Sequence, residues 1–441
     1  MFFACVVCKA THCLLRLFGF GATALPGVLA LKICPDILEY AAENVSIIAV
    51  TGTNGKTTSC RMIERALQNA GHYAAANRSG ANLMGGIAAT LIMNMRLTGG
   101  AKCGYAVLEC DEAACRRVLG RIKPRVLVVT NLFRDQLDRY GSIEHPRDCI
   151  AQGLMQAPDT IAVINADCTM AASIAGMIPN RIVWFGSDCG KSSGVGSGES
   201  DKCPKCGGSL RYSSISYANL GHFSCGCGFS RAKPDYCISS LLPDGGMVLK
   251  TPRGSVVCDP ALAGLYNAYN AAGSIAAAVN ADCDIESAVS AVNDFDCGFG
   301  RMESFPLGGA GAKMILIKNA AAADQTLEQV RVFDGDKSVV LVINDRTADG
   351  TDISWLDDAD FGKLARSKGL KNVYVSGDRA DAAAKRLERE NIVCKSCKNY
   401  DKLIKELERE EAFIFILPTY TAMMELRRQL TDALGGKKFW Q

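Results

Sequence analysis

The amino-acid sequence predicts an α/β protein with two parallel-sheet domains, and three observations support this fold class. Short apolar segments alternate with helical patterns in two successive regions of the 441 residues. Strands without polar residues are typical of parallel sheets that are covered on both faces. A glycine-containing segment with Lys56 and Thr57 follows the first such strand. Two close pairs of cysteines interrupt the first region, which predicts a small insert.

The length and composition limit the class of protein. A chain of 441 residues is expected to form two or three domains. A formal net charge of +3 gives no electrostatic reason to expect nucleic acid as a partner. The 21 cysteines are mostly scattered through apolar stretches, as at Cys60, Cys110 and Cys258. This usage predicts buried thiols in a reducing, cytoplasmic compartment rather than a secreted disulfide scaffold.

Residues 1–45 are predicted to form a helical lead-in. The first 38 residues are unusually apolar, and Lys9, Arg16 and Lys32 interrupt their apolar runs. No apolar run reaches the roughly 18–20 residues that span a bilayer, and no basic region precedes the first run, so a signal peptide is not predicted. The pattern favours helices that pack on the next domain, and the alternative is contact with a membrane surface.

The two regions of alternating strands and helices give the domain boundaries. The first domain is predicted over 46–303, with an insert at 200–238 that follows a Gly/Ser-rich linker at 192–200. The second domain is predicted over 304–441. The predicted strands of the first domain are Ile47–Val50, Tyr105–Leu108, Val126–Val129, Ile161–Ile164 and Ile182–Phe185, and those of the second are Met314–Ile317, Val339–Ile343, Val373–Val375 and Ala412–Leu417.

The segment Gly52-Thr53-Asn54-Gly55-Lys56-Thr57-Thr58 lies between a predicted strand and a helix predicted to start at Thr57. This is the context of a phosphate-binding loop, because glycines let backbone N–H groups turn toward phosphates and the helix N-terminus adds positive potential. Lys56 is expected to reach the β- and γ-phosphates, and the Thr57 hydroxyl is a candidate Mg²⁺ ligand. The segment therefore predicts a site for ATP and Mg²⁺.

This short loop with Thr53 and Asn54 inside it resembles the Mur ligase superfamily, in which ATP activates a carboxylate as an acyl phosphate that an amine then attacks. Further segments resemble the same family: Glu109-Cys110-Asp111-Glu112, Thr130-Asn131-Leu132, Asp135-Gln136-Leu137-Asp138, Asn165-Ala166-Asp167 and Gly264 to Asn270. The resemblance implies that Glu109 binds Mg²⁺, that Asn267 and Asn270 contact adenine, and that Arg301 lies at the domain junction. It also implies a P-loop Mur-ligase central domain and a Rossmann-like C-terminal α/β domain.

The insert contains Cys203, Cys206, Cys225 and Cys227 in glycine-rich turns on either side of a predicted hairpin at 210–223. Four thiolates at such spacing suit tetrahedral Zn²⁺, so a zinc-ribbon-like insert is predicted. A redox role and a nucleic-acid role are the alternatives, and the neutral charge of the insert disfavours the latter. The pairs Cys5/Cys8 and Cys394/Cys397 have no second pair nearby and are predicted to be structural.

Only about 45 residues precede the phosphate-binding loop, which is too short for the UDP-sugar domain of peptidoglycan-building Mur ligases. Without that domain, and with four cysteines in the insert, the chain resembles the ligase subunits of lipid II isoglutaminyl synthases. This resemblance implies amidation of the D-glutamate α-carboxylate of lipid II. It also implies a heterodimer with a class I glutaminase (GatD-like) partner that supplies ammonia.

The segment Asp345 to Trp355 follows a predicted strand of the second domain. The resemblance implies that one aspartate of this segment completes the catalytic triad of the partner, and Asp352 is the first candidate and Asp349 the second. The structural alternative is that these aspartates only cap a helix or hold a turn.

Two other functions remain open from the sequence. One is a Mur- or folylpolyglutamate-type ligase that adds an amino acid to a soluble substrate. The other is a non-catalytic, zinc-bearing scaffold subunit whose ATP site only regulates assembly, although Lys56, Thr57 and Glu109 together argue against this alternative.

Overall fold

A computed structural model describes residues 1–18, 24–77, 81–97, 100–133, 144–192, 202–242, 245–260, 264–295 and 301–434. The described residues fall into two compact units, one formed by 1–133 with 144–295 and the other by 301–434. The side chains of residues 191–192 and 301–302 are outside the description. The Gly/Ser-rich segment from 193 and the segments Asp135-Gln136-Leu137-Asp138 and Phe299-Gly300 also lie outside the described residues.

The first unit begins with three helices and continues as alternating strands and helices. Its helices are α1 Phe2–Leu17, α2 Leu25–Ile33, α3 Ile37–Ala42, α4 Lys56–Asn69, α5 Met84–Asn94, α6 Cys115–Ile122, α7 Glu144–Met155, α8 Thr169–Ser173, α9 Leu265–Asn280 and α10 Ile285–Asn293. Its strands are β1 Ser46–Thr51, β2 Ala74–Ala76, β3 Tyr105–Glu109, β4 Val126–Val129, β5 Ile161–Asn165, β6 Ile182–Ser187, β7 Lys191–Ser192, β8 Leu210–Tyr217, β9 Leu220–Cys225, β10 Tyr236–Leu241, β11 Met247–Thr251 and β12 Gly254–Cys258.

Within the described ranges, nine of these strands form one sheet in the order β12-β11-β10-β6-β5-β4-β1-β3-β2. The strands from β6 to β2 are parallel, and the apolar side chains of β1, β3, β4 and β5 are buried as expected for strands covered on both faces. The prediction of a wholly parallel sheet was incomplete, because β10 pairs in parallel with β6 and the strands β11 and β12 then extend the sheet with antiparallel pairing.

The chain order makes β1 the switch point of this sheet. After β1 the chain runs to β2 at the edge, returns to β3 beside β1, and then continues with β4 on the other side of β1. The connections that leave β1 and β4 therefore run in opposite directions. They leave a crevice at the carboxyl ends of these strands, which is where open α/β sheets bind ligands.

The three N-terminal helices pack on the first unit. Helices α1, α2 and α3 each contact α5. Gly27 of α2 lies against the backbone of α5, and a Cβ atom there would be 1.9 Å from the carbonyl oxygen of Gly85. The helices can cross this closely only because Gly27 has no side chain. In the part of the chain that the structure describes, no helix is both long enough and apolar enough to cross a membrane.

The second unit is a separate α/β sheet. Its strands are β13 Arg301–Phe305, β14 Ala312–Ile315, β15 Lys337–Val342, β16 Leu370–Ser376, β17 Lys395–Ser396 and β18 Phe413–Pro418. Its helices are α11 Ala320–Val332, α12 Trp355–Asp358, α13 Gly362–Ala365, α14 Ala380–Glu388, α15 Tyr400–Leu407 and α16 Tyr420–Leu434. All neighbouring strands described here are parallel except β13 with β14.

The pattern of β15 explains why the second sheet is covered on both faces. Val339 and Leu341 belong to one hydrophobic core, and Val340 and Val342 belong to the core on the opposite face. Alternate residues of a strand point to opposite faces, so an uninterrupted apolar run requires a core on each side.

Candidate functional site

The phosphate-binding loop is positioned by backbone geometry at the end of β1. Gly52 and Gly55 have φ values of +124° and +87°, which side-chain-bearing residues rarely adopt. Gly55 is the residue before α4, so the helix begins at Lys56 rather than at Thr57 as predicted. A Cβ atom on Gly55 would be 2.1 Å from Oδ1 of Asn270, so glycine is required both by conformation and by space.

The end of β4 holds the loop from the opposite side. Oδ1 of Asn131 accepts a hydrogen bond from the backbone N–H of Asn54 at 3.0 Å. The Thr130 hydroxyl donates to the Asn54 carbonyl oxygen at 2.7 Å. The Thr53 hydroxyl accepts from the backbone N–H of Phe133 at 3.0 Å. These contacts satisfy buried polar groups of the loop and fix its shape without a ligand.

Thr57 and Glu109, the two predicted Mg²⁺ ligands, are brought together by the sheet. Glu109 is the last residue of β3 and is paired in register with Val50 of β1, so its carboxylate lies beside the start of α4. Oγ1 of Thr57 donates to Oε2 of Glu109 at 2.5 Å. Oε1 of Glu109 accepts from Nδ2 of Asn82 at 3.2 Å. A hydroxyl and a carboxylate oxygen at this separation form a suitable pair of ligands for Mg²⁺.

Asn77 holds Glu109 through its backbone. Its Oδ1 accepts from the Glu109 N–H at 2.8 Å, and its Nδ2 donates to the Glu109 carbonyl oxygen at 2.8 Å. Asn77 and Asn82 were not predicted as site residues. They follow a short strand, β2, and no spacing rule directs their side chains to Glu109.

Lys56 is paired with a carboxylate that was not predicted to serve the site. Its Nζ lies 3.0 Å from Oε1 of Glu112, and it also donates to the carbonyl oxygen of Gly52. Burial alone would lower the pKa of Lys56, but the negative charges of Glu112 and Glu109 outweigh burial and raise the pKa above its ordinary value. Lys56 therefore remains a cation at the mouth of the loop, as phosphate binding requires.

Asn267 and Asn270 lie on α9, where both are buried. Nδ2 of Asn270 is 3.5 Å from Oδ1 of Asn267, and Oδ1 of Asn270 lies against Gly55, so this helix borders the phosphate-binding loop. Arg301 begins β13 of the second unit, and its side chain is outside the description. The structure therefore brings Asn270 to the loop and leaves the position of the Arg301 guanidinium undescribed.

A buried ionic network behind α9 was not predicted. Asp167, which follows β5, is fully buried and forms an ion pair with Arg231 of the insert. Its Oδ2 accepts from the Tyr269 hydroxyl at 2.5 Å and from the Ser187 N–H at 2.7 Å. Burial raises the pKa of Asp167 above its ordinary value, although the charge of Arg231 acts in the opposite direction. The network links the cysteine insert to the helix that carries Asn267 and Asn270.

The four cysteines of the insert converge. The Sγ atoms of Cys203 and Cys227 are 3.8 Å apart, those of Cys206 and Cys225 are 3.6 Å apart, and all four lie within 4.8 Å of one another. Zn–S bonds of about 2.3 Å in a tetrahedron place sulfur atoms roughly 3.8 Å apart. Among the described residues, these four cysteines form the group of His, Cys, Asp or Glu side chains whose ligand atoms lie close enough together to hold a metal ion.

The turns and core of the insert are suited to this arrangement. Gly207 and Gly228 have positive φ values, which close the two turns that carry the cysteines. The strands β8 and β9 form the predicted hairpin, and a small core of Leu210, Tyr212 and Phe223 packs with Cys203. A backbone hydrogen bond from Phe229 is the main cause that lowers the pKa of Cys227 to about 7, which favours the metal-binding thiolate.

The aspartates of the second unit occupy a loop after β15. Asp349 accepts from the backbone N–H and the hydroxyl of Thr421, at 2.7 and 2.5 Å, and from the N–H of Arg346 at 3.1 Å. It therefore ties the loop to the start of α16. Asp352 is half-buried, and its Oδ1 accepts from the Ser354 N–H at 2.8 Å. Both carboxylates perform the turn and capping roles that were the structural alternative.

Comparisons with known proteins agree with this architecture. Residues 50–202 match the sequence model of the Mur ligase middle domain, and residues 316–423 match that of the MurT ligase C-terminal domain. The fold is similar to a pseudomurein peptide ligase type C from Methanothermus fervidus, with a TM-score of 0.68, 21% identity and coverage of 90% of this chain and 80% of that one. It is also similar to MurF from Acinetobacter baumannii, with a TM-score of 0.66, 18% identity and coverage of 92% and 80%.

Two relatives match along nearly their whole length. The chain is 34% identical over 439 residues to the lipid II isoglutaminyl synthase (glutamine-hydrolyzing) subunit MurT of Streptococcus pneumoniae, which covers 96% of this chain and 95% of the relative. It is 32% identical over 426 residues to the protein of the same name from Staphylococcus aureus strain COL, with the same coverage. The resemblance inferred from short motifs is thus confirmed, and this chain belongs to the MurT family of Mur ligases.

Proposed function

We propose that this chain is the ligase subunit of a lipid II isoglutaminyl synthase, which converts the α-carboxylate of D-glutamate in lipid II to the amide of D-isoglutamine. The observation that carries the proposal is the cluster of Lys56, Thr57 and Glu109 at the switch point of the first sheet. The two relatives that match along nearly their whole length are named for this activity, which supports the choice of substrate.

The proposed ATP site consists of the loop and the neighbouring α9. Residues Gly52 to Thr58 would surround the phosphates, and Lys56 would contact the β- and γ-phosphates. Asn267 and Asn270 would contact the adenine, and Arg301 would act at the domain junction. Thr57 and Glu109 would hold Mg²⁺, which when bound neutralises charge on the phosphate oxygens.

In the proposed reaction, an oxygen of the substrate carboxylate attacks the γ-phosphorus of ATP, the bond to the β-phosphate oxygen breaks, and ADP leaves. Lys56 stabilises the charge on the transferred phosphoryl group. Ammonia then attacks the carbonyl carbon of the acyl phosphate, inorganic phosphate leaves, and the nitrogen loses a proton to give the amide. The rigid hydrogen bonds of Asn131 and Thr130 to the loop favour this chemistry because the site needs little reorganisation.

We further propose that ammonia comes from a class I glutaminase (GatD-like) subunit in a heterodimer. Asp352 would complete the triad of that partner by orienting its histidine, with Asp349 as the second candidate. Both relatives are named as subunits of a glutamine-hydrolyzing enzyme, which supports a partner of this class.

Zn²⁺ is the metal proposed for the cysteine cluster. Cys203, Cys206, Cys225 and Cys227 would provide four thiolates, and a closed set of four protein ligands is typical of structural rather than catalytic zinc. The proposed location of the protein is the cytoplasm, at the inner face of the membrane, where a lipid-linked precursor would be reached.

The test is amidation by the purified full chain in the presence of MgATP, lipid II and isotope-labelled ammonium. We expect ATP-dependent incorporation of the label into the D-glutamate residue, measured by mass spectrometry. Lys56→Ala should abolish incorporation and leave the zinc content unchanged. Incorporation by the variant at the wild-type rate would contradict the assignment of the site.

The same assay separates the two alternatives. Consumption of a free amino acid in place of ammonium would identify an amino-acid-adding Mur-type ligase. Nucleotide binding without turnover, with every nitrogen source and with the glutaminase subunit present, would identify a scaffold. Either result would overturn the proposed amidation.

A further inference from the structure

The outward face of helix α1 is apolar along its whole length. The buried positions of this helix are Ala4, Cys5 and Cys8, which point to the rest of the first unit. The positions on the opposite face follow helical spacing of three and four residues and are Phe3, Val7, Ala10, Leu14 and Leu17. A surface helix normally presents polar side chains to water on this face, so α1 has the reverse of the expected pattern.

Most of the side chains on this outward face of α1 are largely exposed to solvent. Phe2 and Phe3 are 64% and 67% exposed, and Leu14 and Leu17 are 56% and 82% exposed. Helix α2 continues the surface with Leu25, which is 51% exposed, and with Val28 and Ile33. Helices α1 and α2 contact each other, and this many exposed phenylalanine and leucine side chains on two neighbouring helices indicate an interaction surface rather than ordinary scatter of apolar residues.

The charged side chains of α1 and α2 are all basic, and the first acidic residues along the chain are Asp36 and Glu39, which are exposed at the start of α3. Residues 1–35 contain Lys9, Arg16 and Lys32 and no aspartate or glutamate. Arg16 and Lys32 are exposed. Aromatic and leucine side chains flanked by basic residues are the composition of helices that lie in the interface of an anionic bilayer.

The geometry disfavours two other occupants. A helix of 16 residues is roughly 24 Å long, which is shorter than the roughly 30 Å of a hydrocarbon core, so α1 is too short to cross a bilayer. In a symmetric dimer the same patch would face itself, which would bring Arg16 and Lys32 near the same basic side chains of the second copy.

We propose that the surface formed by α1 and α2 lies in the headgroup region of an anionic lipid bilayer. The apolar side chains would enter the boundary between headgroups and acyl chains, and Arg16 and Lys32 would contact lipid phosphates. The proposal accords with a lipid-linked substrate but stands on the helix geometry, and it can be tested without any amidation assay.

The Gly27 contact packs α2 closely against α5 of the first unit. Because Gly27 allows α2 to lie directly on the backbone of α5 at Gly85, the two helices are held without an intervening side chain. Nearby Asn82, just before α5, donates to Glu109. Helix α5 is thus in contact with the helices of the proposed lipid-facing surface, and Asn82, which lies just before it, is hydrogen-bonded to the proposed Mg²⁺ ligand Glu109.

The experiment is co-sedimentation of the full chain with vesicles. We expect binding to vesicles of phosphatidylglycerol with phosphatidylcholine, weaker binding to phosphatidylcholine alone, and weaker binding in high salt. The double variant Leu14→Glu/Leu17→Glu should lower the partition coefficient at least about tenfold, because two charged groups replace apolar ones at the surface. Arg16→Gln and Lys32→Gln should each lower binding to anionic vesicles about fivefold.

Val393→Glu is the matched control, because Val393 is 91% exposed and lies in the second unit. It should bind vesicles as the wild type does. Nucleotide binding and thermal melting should show that every variant is folded, as expected for substitutions of exposed side chains.

Three results would overturn the proposal. The first is a wild-type chain that stays in the supernatant with anionic vesicles. The second is unchanged vesicle binding by the Leu14→Glu/Leu17→Glu variant. The third is a variant that binds vesicles as the wild type does but has lost a protein contact. That contact would be either a wild-type dimer that becomes a monomer or the complex with the glutaminase subunit, and its loss would assign the surface to a protein interface. Vesicle binding by a chain that fails to amidate lipid II would refute the proposed function and leave this inference intact.

Discussion

The carboxyl ends of the two sheets carry polar loops of different character. In the first unit, Thr57 donates a hydrogen bond to Glu109 at the end of β3, and Lys56 and Glu112 form a nearly buried ion pair. In the second unit, Asp345 pairs with Arg379 and Arg346 pairs with Asp378 at more exposed positions. A buried and preorganised cluster suits charge stabilisation during a reaction, whereas exposed pairs of this kind contribute little to stability and can exchange partners.

The carboxyl end of the sheet thus carries loops of different chemistry in the two units. The first loop is shaped for a phosphate by backbone groups, and the second loop presents carboxylates that mainly hold its own turn. This difference supports the proposal that the reaction takes place in the first unit.

The largest expected effect is at Asp352. Asp352→Asn should lower glutamine-dependent amidation by roughly 10³- to 10⁴-fold, because an amide would not orient the partner histidine correctly. Ammonium-dependent amidation should remain at the wild-type level, measured with the heterodimer and each nitrogen source. Asp349→Asn is the control, since Asp349 already accepts hydrogen bonds from Thr421. If Asp349→Asn alone separates the two activities, the triad role belongs to Asp349.

Glu109 should show the next largest effect. Glu109→Gln removes a charged Mg²⁺ ligand and should lower the rate with either nitrogen source by about 10²- to 10³-fold. Glu112→Gln should cost about tenfold or less, because Glu112 pairs with Lys56 rather than with Thr57. Equal losses in the two variants would show that the two carboxylates share the metal site. The measurement is the amidation rate as a function of Mg²⁺ concentration.

The buried ionic network predicts a pH-dependent stability effect. Arg231→Met leaves Asp167 buried without its cation and should lower the free energy of unfolding by about 3 kcal/mol at neutral pH. Burial already raises the pKa of Asp167, and loss of Arg231 should raise it further. A raised pKa in the folded state favours the protonated form, so the destabilisation should be smaller in acid than at neutral pH. Denaturant unfolding at both pH values provides the test, and a pH-independent loss would contradict this explanation.

The cysteine cluster predicts a specific loss of metal. Cys206→Ser should lower the zinc content at least about tenfold, because it removes one of four thiolate ligands. Cys397→Ser is the matched control, since Cys394 and Cys397 have the same spacing but belong to no such cluster among the described residues. Zinc can be measured by atomic absorption on both purified variants. Equal zinc in both would remove the cluster from consideration as a zinc site.

Much of the fold could be predicted because apolar strands are distinctive. The strands at Ile47, Tyr105, Val126 and Ile161 were predicted within one or two residues of their observed ends. The antiparallel strands at 236–258 were missed because their polar residues, such as Ser239 and Ser240, break the apolar pattern. One side of that hairpin is exposed, so its sequence does not require the uninterrupted apolar run of a central strand.

The site could be predicted only where a local motif determines the geometry. The loop from Gly52 to Thr57 is contiguous, so its shape follows from its own residues. Glu109 and Glu112 follow the same strand, and the turn between them decides which carboxylate meets Lys56. In that turn Asp111 accepts from the N–H of Ala113 at 3.1 Å, and α6 begins only at Cys115. The partners of Asp167 come from distant segments, and no sequence spacing indicates them.

The close crossing of α2 and α5 at Gly27 and Gly85 has a mechanical consequence. Helices that touch backbone to backbone have no layer of side chains between them, so the two backbones alone set the distance between α2 and α5. Under the proposed membrane contact, this distance would contribute to how far a lipid-linked substrate must extend to reach the proposed ATP site. Gly27→Leu would change that distance by pushing the helices apart, with no substitution in the loop itself.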